Sequence, residues 1–270
     1  MKVAAPTSSA RGVMDVEHAS GPDYASAPNC IVFFGHHKCA SRLFRAEIFT
    51  RIARKLGARV RSYKIKQAPF RFGLNLDDLD LQNIDFANIG RDGSDVIMFS
   101  NSTVRSLARI KSETDNWKGV RIIRDPRQVL VSDYFHHKVG HKIEGTGWVW
   151  EQLKQDKPVL LNASKEDGIL HELDNISRVV IEDQVLGEFD DERILNIKPE
   201  DFSRDPHEYL QRIFKFLGIP EVEGIDLSRT FANSESGPWQ EHFTDRIREI
   251  FKTRYGRALI DIGYERDLNW

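Results

Sequence analysis

The sequence predicts an α/β domain, a central parallel sheet flanked by helices on both faces. Three observations carry this. Short apolar runs recur, "IVFF" at 31–34, "DVIMFS" at 95–100 and "GVRII" at 119–123, as expected of strands buried on both sides. Each run is followed by a polar turn and then by helically spaced apolar residues. With 270 residues, 40% of them hydrophobic and 30% charged, the chain is long enough to bury a sizeable core.

Residues 1–28 are rich in Ala, Ser, Gly and Pro, without periodicity, and read as a flexible tail. They lack the apolar centre of a secretory signal, and Asp15, Glu17 and Asp23 argue against a mitochondrial address. A cytoplasmic protein is expected. After the first strand, Phe44, Ile48, Ile52 and Leu56 recur every four residues and Gly57 follows as a stop, which predicts a helix. "ARVRSYKI" (58–65) reads as a second strand, and 67–94 as loops with short helical pieces. A helix is expected at 103–111. Asp125 and Pro126 suit the N-cap and first position of the next helix. Gly140, Gly145, Gly147 and Pro158 predict a mobile excursion over 138–165. One long helix is expected at 165–186, a last strand at 192–198, a capped helix at 205–218 and a final helix at about 241–255. No repeat or break appears, so 29–270 reads as one domain.

Composition excludes several classes of function. Thirty-nine basic against 41 acidic side chains give a formal net charge of −2, with no global pull toward nucleic acid or anionic membrane. No apolar run approaches the ~20 residues of a membrane-spanning helix. The two cysteines, Cys30 and Cys39, make no disulfide framework and suit a reducing compartment.

The turn "GHHKCAS" (35–41) leads from a buried strand into a helix, aiming free N–H groups and the positive helix end at whatever sits there. Lys38 adds a mobile charge, Ser41 a hydroxyl and Arg42 a second cation. This is a phosphate or sulfate cradle, or a plain connection whose cations face water. Arg124 ends another apolar strand, and Ser132 lies eight residues on, along the following helix. Together they can pinch a second phosphate. Two such turns on one sheet suggest a ligand with phosphates at two ends.

In these stretches the sequence resembles the sulfotransferases that use 3′-phosphoadenosine 5′-phosphosulfate (PAPS). "GHHKCASRL" is similar to their 5′-phosphosulfate loop and "RIIRDPRQVLVSDYF" to their 3′-phosphate motif. "NIKPEDFSRDPHEYLQRIFKFLGI" and "SGPWQEHFT" resemble two C-terminal stretches, in the family's order. The resemblance covers about 31–265. It implies a three-layer sandwich like that of P-loop kinases, and sulfonate transfer from PAPS to an acceptor hydroxyl or amine. Lys38, Ala40, Ser41 and Arg42 would wrap the 5′-phosphosulfate, with His37 and Cys39 in the same loop. Arg124 and Ser132 would hold the 3′-phosphate. Lys38 would stabilise charge on the leaving phosphate oxygen, and the route needs no metal.

The sequence departs from that pattern at four places. Ala40 replaces a glycine, and Leu43 the tryptophan that stacks on adenine. Ala232-Asn233-Ser234 replaces an Arg-Lys-Gly for which Arg229 is the nearest substitute. Ser100-Asn101 stands where relatives carry a catalytic histidine. His136, one turn past Ser132, is the favoured general base, with a carboxylate such as Asp85 as the alternative, while His36 and His37 could equally shape the loop. "HHKC" and "HHKVGH" also offer zinc ligands, but their spacing matches no structural zinc pattern, and no metal is expected. Trp148, Trp150 and Trp239 read as core or acceptor-pocket walls. The competing readings are a small-molecule kinase, against which the missing Gly-Lys-Ser/Thr argues, and an inactive bisphosphate-nucleotide-binding protein. The acceptor is a small molecule, carbohydrate or lipid that loops 67–94 and 138–165 would select; oligomeric state is not read.

Overall fold

The computed structural model describes residues 27–63, 89–90, 93–145, 148–187, 189–227 and 236–270. Most of the N-terminal tail, most of loop 67–94 with Asp85, and Arg229 and 232–234 lie outside these residues. Five parallel strands form the sheet: β1 (Cys30–Phe34), β2 (Arg59–Tyr63), β3 (Asp95–Phe99), β4 (Trp117–Ile122) and, late in the chain, β7 (Ile194–Ile197). Their order is β2-β3-β1-β4-β7. β1 therefore lies centrally, Phe34 facing Phe99 of β3 on one side and Arg121 of β4 on the other. A two-stranded antiparallel ladder, β5 (Glu144–Gly145) and β6 (Trp148–Val149), lies outside this sheet.

Alternation along the strands divides the core into layers. Ile31 and Phe33 of β1 face α1 (residues 41–56) and α8 (Pro206–Leu217), packing with Phe44, Ile48, Ile213 and Phe214. Val32 and Phe34 face the opposite way, toward Leu107 and Ile110 of α2 (Val104–Glu113). Each fully buried Phe or Ile contributes about 1.5–3 kcal/mol relative to exposure. A further apolar cluster joins α3 (Pro126–Phe135), α5 (Lys165–Asp174), α6 (Ile176–Val185) and α9 (Asp245–Asp261). The three-layer α/β expectation holds.

The signals at helix starts work as the residues suggest. Thr103 and Ser106 form a reciprocal cap on α2, and Asp125 accepts from Arg127 N–H with Pro126 at the first position of α3. Asp205 caps α8, and Gly218, at φ 69°, ends it.

Three expectations are corrected. The long helix at 165–186 is two helices, broken at Asn175 (φ −122°, ψ −111°). There the Asn175 side chain donates to His171 O at 2.8 Å, a local bond that competes with the helix. The mobile excursion at 138–165 is mostly structured, with a π-turn at His136–Gly140 and a helix, α4 (Glu151–Asn162), that tolerates Pro158. The final helix runs Asp245–Asp261, later at both ends than expected, and within it Gly256 lets Leu268 approach, since a Cβ there would lie 2.8 Å from Leu268 Cδ2. α1 starts at Ser41, where the predicted turn ends, and carries a π-turn at Phe44–Phe49. A short helix, α7 (Pro199–Arg204), precedes α8. Among the described residues, no helix is long and apolar enough to cross a membrane.

Gly168 fixes how α5 lies on α3, since a Cβ there would sit 2.5 Å from Tyr134 Cε2. Gly168→Ala is expected to destabilise by about 1–3 kcal/mol through overpacking, outweighing a helix-propensity gain of ~1 kcal/mol. A urea midpoint at or above that of the parent would refute this packing.

Candidate active site

The turn after β1 is tied to the end of β3. Gly35 N–H donates to Phe99 O at 3.0 Å, and Ser102 returns its N–H and hydroxyl to Gly35 O at 2.7 and 2.9 Å. A Cβ at Gly35 would meet Phe99 O at 2.7 Å, so only glycine allows this approach. The chain then turns through two left-handed non-glycine residues, Lys38 (φ 56°) and Ala40 (φ 58°), a conformation that costs roughly 1–2 kcal/mol each. Ser41 Oγ donates to His36 O at 2.5 Å, which closes the turn. Cys39 turns inward instead, its thiol donating to Gln184 Oε1 at 3.4 Å and its N–H to His36 O at 3.3 Å. Burial pushes that thiol up to about 12. The Cys39 side chain is thus directed into the core, because Gln184 offers it an acceptor there. Arg42 is exposed and Leu43 buried.

β4 ends beside this turn. Arg124 Nη1 donates to Lys38 O at 2.9 Å, joining the two predicted anion-holding segments directly. The Arg124 backbone N–H donates to Gln184 Oε1 at 3.0 Å, and its Nε lies 3.9 Å from Glu200. Ser132, 6% exposed, follows on α3. β1 and β4 feed connections that leave in opposite directions across the sheet, the place where open α/β sheets bind ligands. Behind the junction, Arg121 is 4% exposed. It donates to Asp183 O and Gln184 O, at the C-terminal end of α6, and to His36 Nε2, a favourable site for a cation. Burial lowers Arg121 to about 10, and burial with that guanidinium beside it keeps His36 neutral.

Next to Lys38 the structure gathers His37, His136, His137 and His141 around Asp133. His37 stacks on His137 with ring centroids 5.6 Å apart, and Trp150 closes the far side, 4.7 Å from His141. His37 Nε2 lies 3.3 Å from Asp133 Oδ1. His137 Nδ1 is 2.9 Å from Glu172 Oε1, and Ser177 Oγ reaches both Glu172 and Asp133. Burial, with Glu172 adding to it, pushes Asp133 up to about 7. Burial holds down His37 as well, and burial with Lys38 takes half-buried His136 to about 4. His36 and His137 are buried, which leaves His37, His136 and His141 as the more accessible rings. Trp239 lies elsewhere, its ring face 4.0 Å from the Arg127 guanidinium.

Sequence reasoning missed Asp133, Glu172, Ser177 and Gln184. Asp133 carried a weak signal, a carboxylate on the inward side of an otherwise apolar helix. The others sit on a segment read as one unbroken helix and carried none. A cavity of about 570 Å³ beside Arg121, Asn196 and Arg212 includes none of the predicted anion-binding residues.

Comparison with known proteins gives one family: the sulfotransferase domain matches residues 100–233. No curated relative matches. Among solved structures, a mouse sulfotransferase complexed with PAP is 16% identical, over 87% of this chain and 86% of that one, with a TM-score of 0.46. A sulfotransferase from Alicyclobacillus acidocaldarius is 14% identical, over 88% and 94%, at 0.46. A retinol dehydratase in complex with retinol and PAP is 14% identical, over 88% and 84%, at 0.42.

Gln184→Leu strands the Arg124 N–H and Cys39 thiol in the core and is expected to cost about 1–3 kcal/mol. Equilibrium unfolding in guanidinium measures it. An unchanged midpoint would mean that the Gln184 carbonyl is not what holds the junction.

Proposed function

We propose that this chain, whose residues 100–233 match the sulfotransferase domain, moves a sulfonate group from PAPS to an acceptor hydroxyl or amine by in-line displacement. The observation that carries this reading is the 2.9 Å bond from Arg124 Nη1 to Lys38 O. It sets the group for the 3′-phosphate beside the turn for the 5′-phosphosulfate, as a single donor molecule requires.

In this reading Lys38, Ser41, Arg42 and the N–H groups of the turn, His37 and Ala40 included, hold the phosphosulfate. Arg124 keeps guanidinium donors beyond the one given to Lys38, and with Ser132 holds the 3′-phosphate. Acceptor oxygen or nitrogen attacks sulfur, the sulfur–oxygen bond to the 5′-phosphate breaks, and adenosine 3′,5′-bisphosphate leaves. Lys38 neutralises the charge that builds on the departing oxygen, worth most in a water-poor turn. His136 is positioned one turn past Ser132, beside Lys38, to take the acceptor proton. The acceptor is a small molecule, a carbohydrate or a lipid.

A thermal-shift comparison tests the donor. Adenosine 3′,5′-bisphosphate is expected to raise the melting temperature and ATP with Mg²⁺ to leave it unmoved. Arg124→Gln should lose most of the bisphosphate shift; retention of full affinity by that variant would overturn the assignment. Bisphosphate release with acceptor mixtures separates enzyme from inert binder. His136→Ala should lower kcat by about 10²–10⁴ with much less change in donor KM, and unaltered kcat would remove His136 from the reaction.

A further inference from the structure

His37 stands next to Lys38 on the turn, and Asp133 next to Ser132 on α3, so each anion-holding segment also carries a metal-ligating side chain. One ligand atom each from His37, Asp133 and His137 lies within 4.8 Å of the other two. His37 Nε2, Asp133 Oδ1 and His137 Nε2 are shut off from solvent and none has a hydrogen-bond partner; His37 Nε2 approaches Asp133 Oδ1 to 3.3 Å without hydrogen-bond alignment. Asp133 and His137 are both fully buried. Buried polar atoms are nearly always paired. Three orphans converging on one point ask for a single group that accepts several lone pairs at once, which is a cation.

We propose that His37, Asp133 and His137 bind a divalent transition-metal ion, with zinc the ion that best fits two imidazoles and one carboxylate. That donor set suits zinc and its first-row neighbours and disfavours the all-oxygen ions magnesium and calcium. Zinc bonds of about 2.0–2.2 Å place tetrahedral ligand atoms ~3.3 Å apart. The His37–Asp133 pair already has this spacing, and a small rotation brings His137 in.

The surroundings are those of a metal site. Glu172 Oε1, 2.9 Å from His137 Nδ1, holds that proton and turns the Nε2 lone pair toward the cluster. Ser177 donates toward the second oxygen of Asp133 at 3.1 Å. Trp150, 5.2 Å from the His137 ring, covers the site edge-on. Two buried carboxylates beside neutral rings are costly, and a divalent ion turns that cost into attraction. Cys39, the one sulfur that the sequence offered, faces Gln184. The ion braces the turn against α3, one residue from Lys38 and one from Ser132. This departs from the metal-free expectation of the sequence.

The experiment uses the full chain, tag removed, purified without chelator. Elemental analysis is expected to find about one transition-metal ion per chain. After chelator treatment, adding zinc should raise the melting temperature by about 5–10 °C at a hundredfold excess over Kd, and cobalt(II) should give the visible bands of a low-symmetry site. Magnesium should do neither. His137→Gln should abolish the cobalt spectrum. Should that variant not fold, the near-isosteric Glu172→Gln carries the test, with cobalt affinity expected to fall by about 10–100-fold. No retained metal, no zinc shift and no cobalt band would reduce the cluster to a proton-sharing network and overturn the proposal. So would undiminished binding by both variants, an adventitious ion only. The readout is metal binding and not turnover, so its failure leaves sulfonate transfer untouched.

Discussion

Everything at the carboxyl edge of this sheet rests on one buried acceptor, the side-chain carbonyl of Gln184. It takes the Arg124 N–H from the end of β4 and the Cys39 thiol from the turn after β1. Two neighbouring strands thereby end against the same fixed point on α6. Parallel pairing sets the strands side by side, but pairing alone does not say where their outgoing loops go. The glutamine does, because a buried donor without an acceptor costs about 1–3 kcal/mol. Arg121 completes the clasp by capping the same helix end and holding His36 as an acceptor.

That clasp lets strain persist in the turn. Lys38 and Ala40 keep left-handed backbones that only glycine adopts freely. A family resemblance that expects glycine in this loop meets alanine instead, and the angle is retained at a cost. Strain of this kind survives where surrounding bonds over-determine the conformation. Here those bonds include Arg124 on Lys38 O, Ser41 on His36 O and Ser102 on Gly35 O. π-turns follow both segments, at Phe44–Phe49 and His136–Gly140. Such turns concentrate at functional sites because they re-aim side chains without ending the helix.

The region around Asp133 has a different physical character. The junction at Gln184 is polar but well paired, whereas His37, Asp133 and His137 each keep one buried atom without a hydrogen-bond partner. A core that had no use for those groups would lose little by replacing them with apolar side chains. Their nearness to Lys38 ties whatever they hold to the geometry of the anion turn.

The central strands were readable because burial on both faces leaves a largely apolar run, unbroken in "IVFF" and "VIMF" and interrupted by Lys118 and Arg121 in β4. Helix starts were readable where one side chain makes the cap, as at Thr103, Asp125 and Asp205. The places of Lys38, Arg124 and Ser132 in the fold could be read because a strand end and a helix start fix them within a few residues. The break at Asn175, the inward turn of Cys39 and the meeting of His37 with Asp133 and His137 could not. Each depends on a partner between 35 and 145 residues away along the chain, or on a local bond that only a packed neighbour makes worthwhile. Sequence periodicity encodes which face is buried; what stands opposite that face is decided only when the layers close.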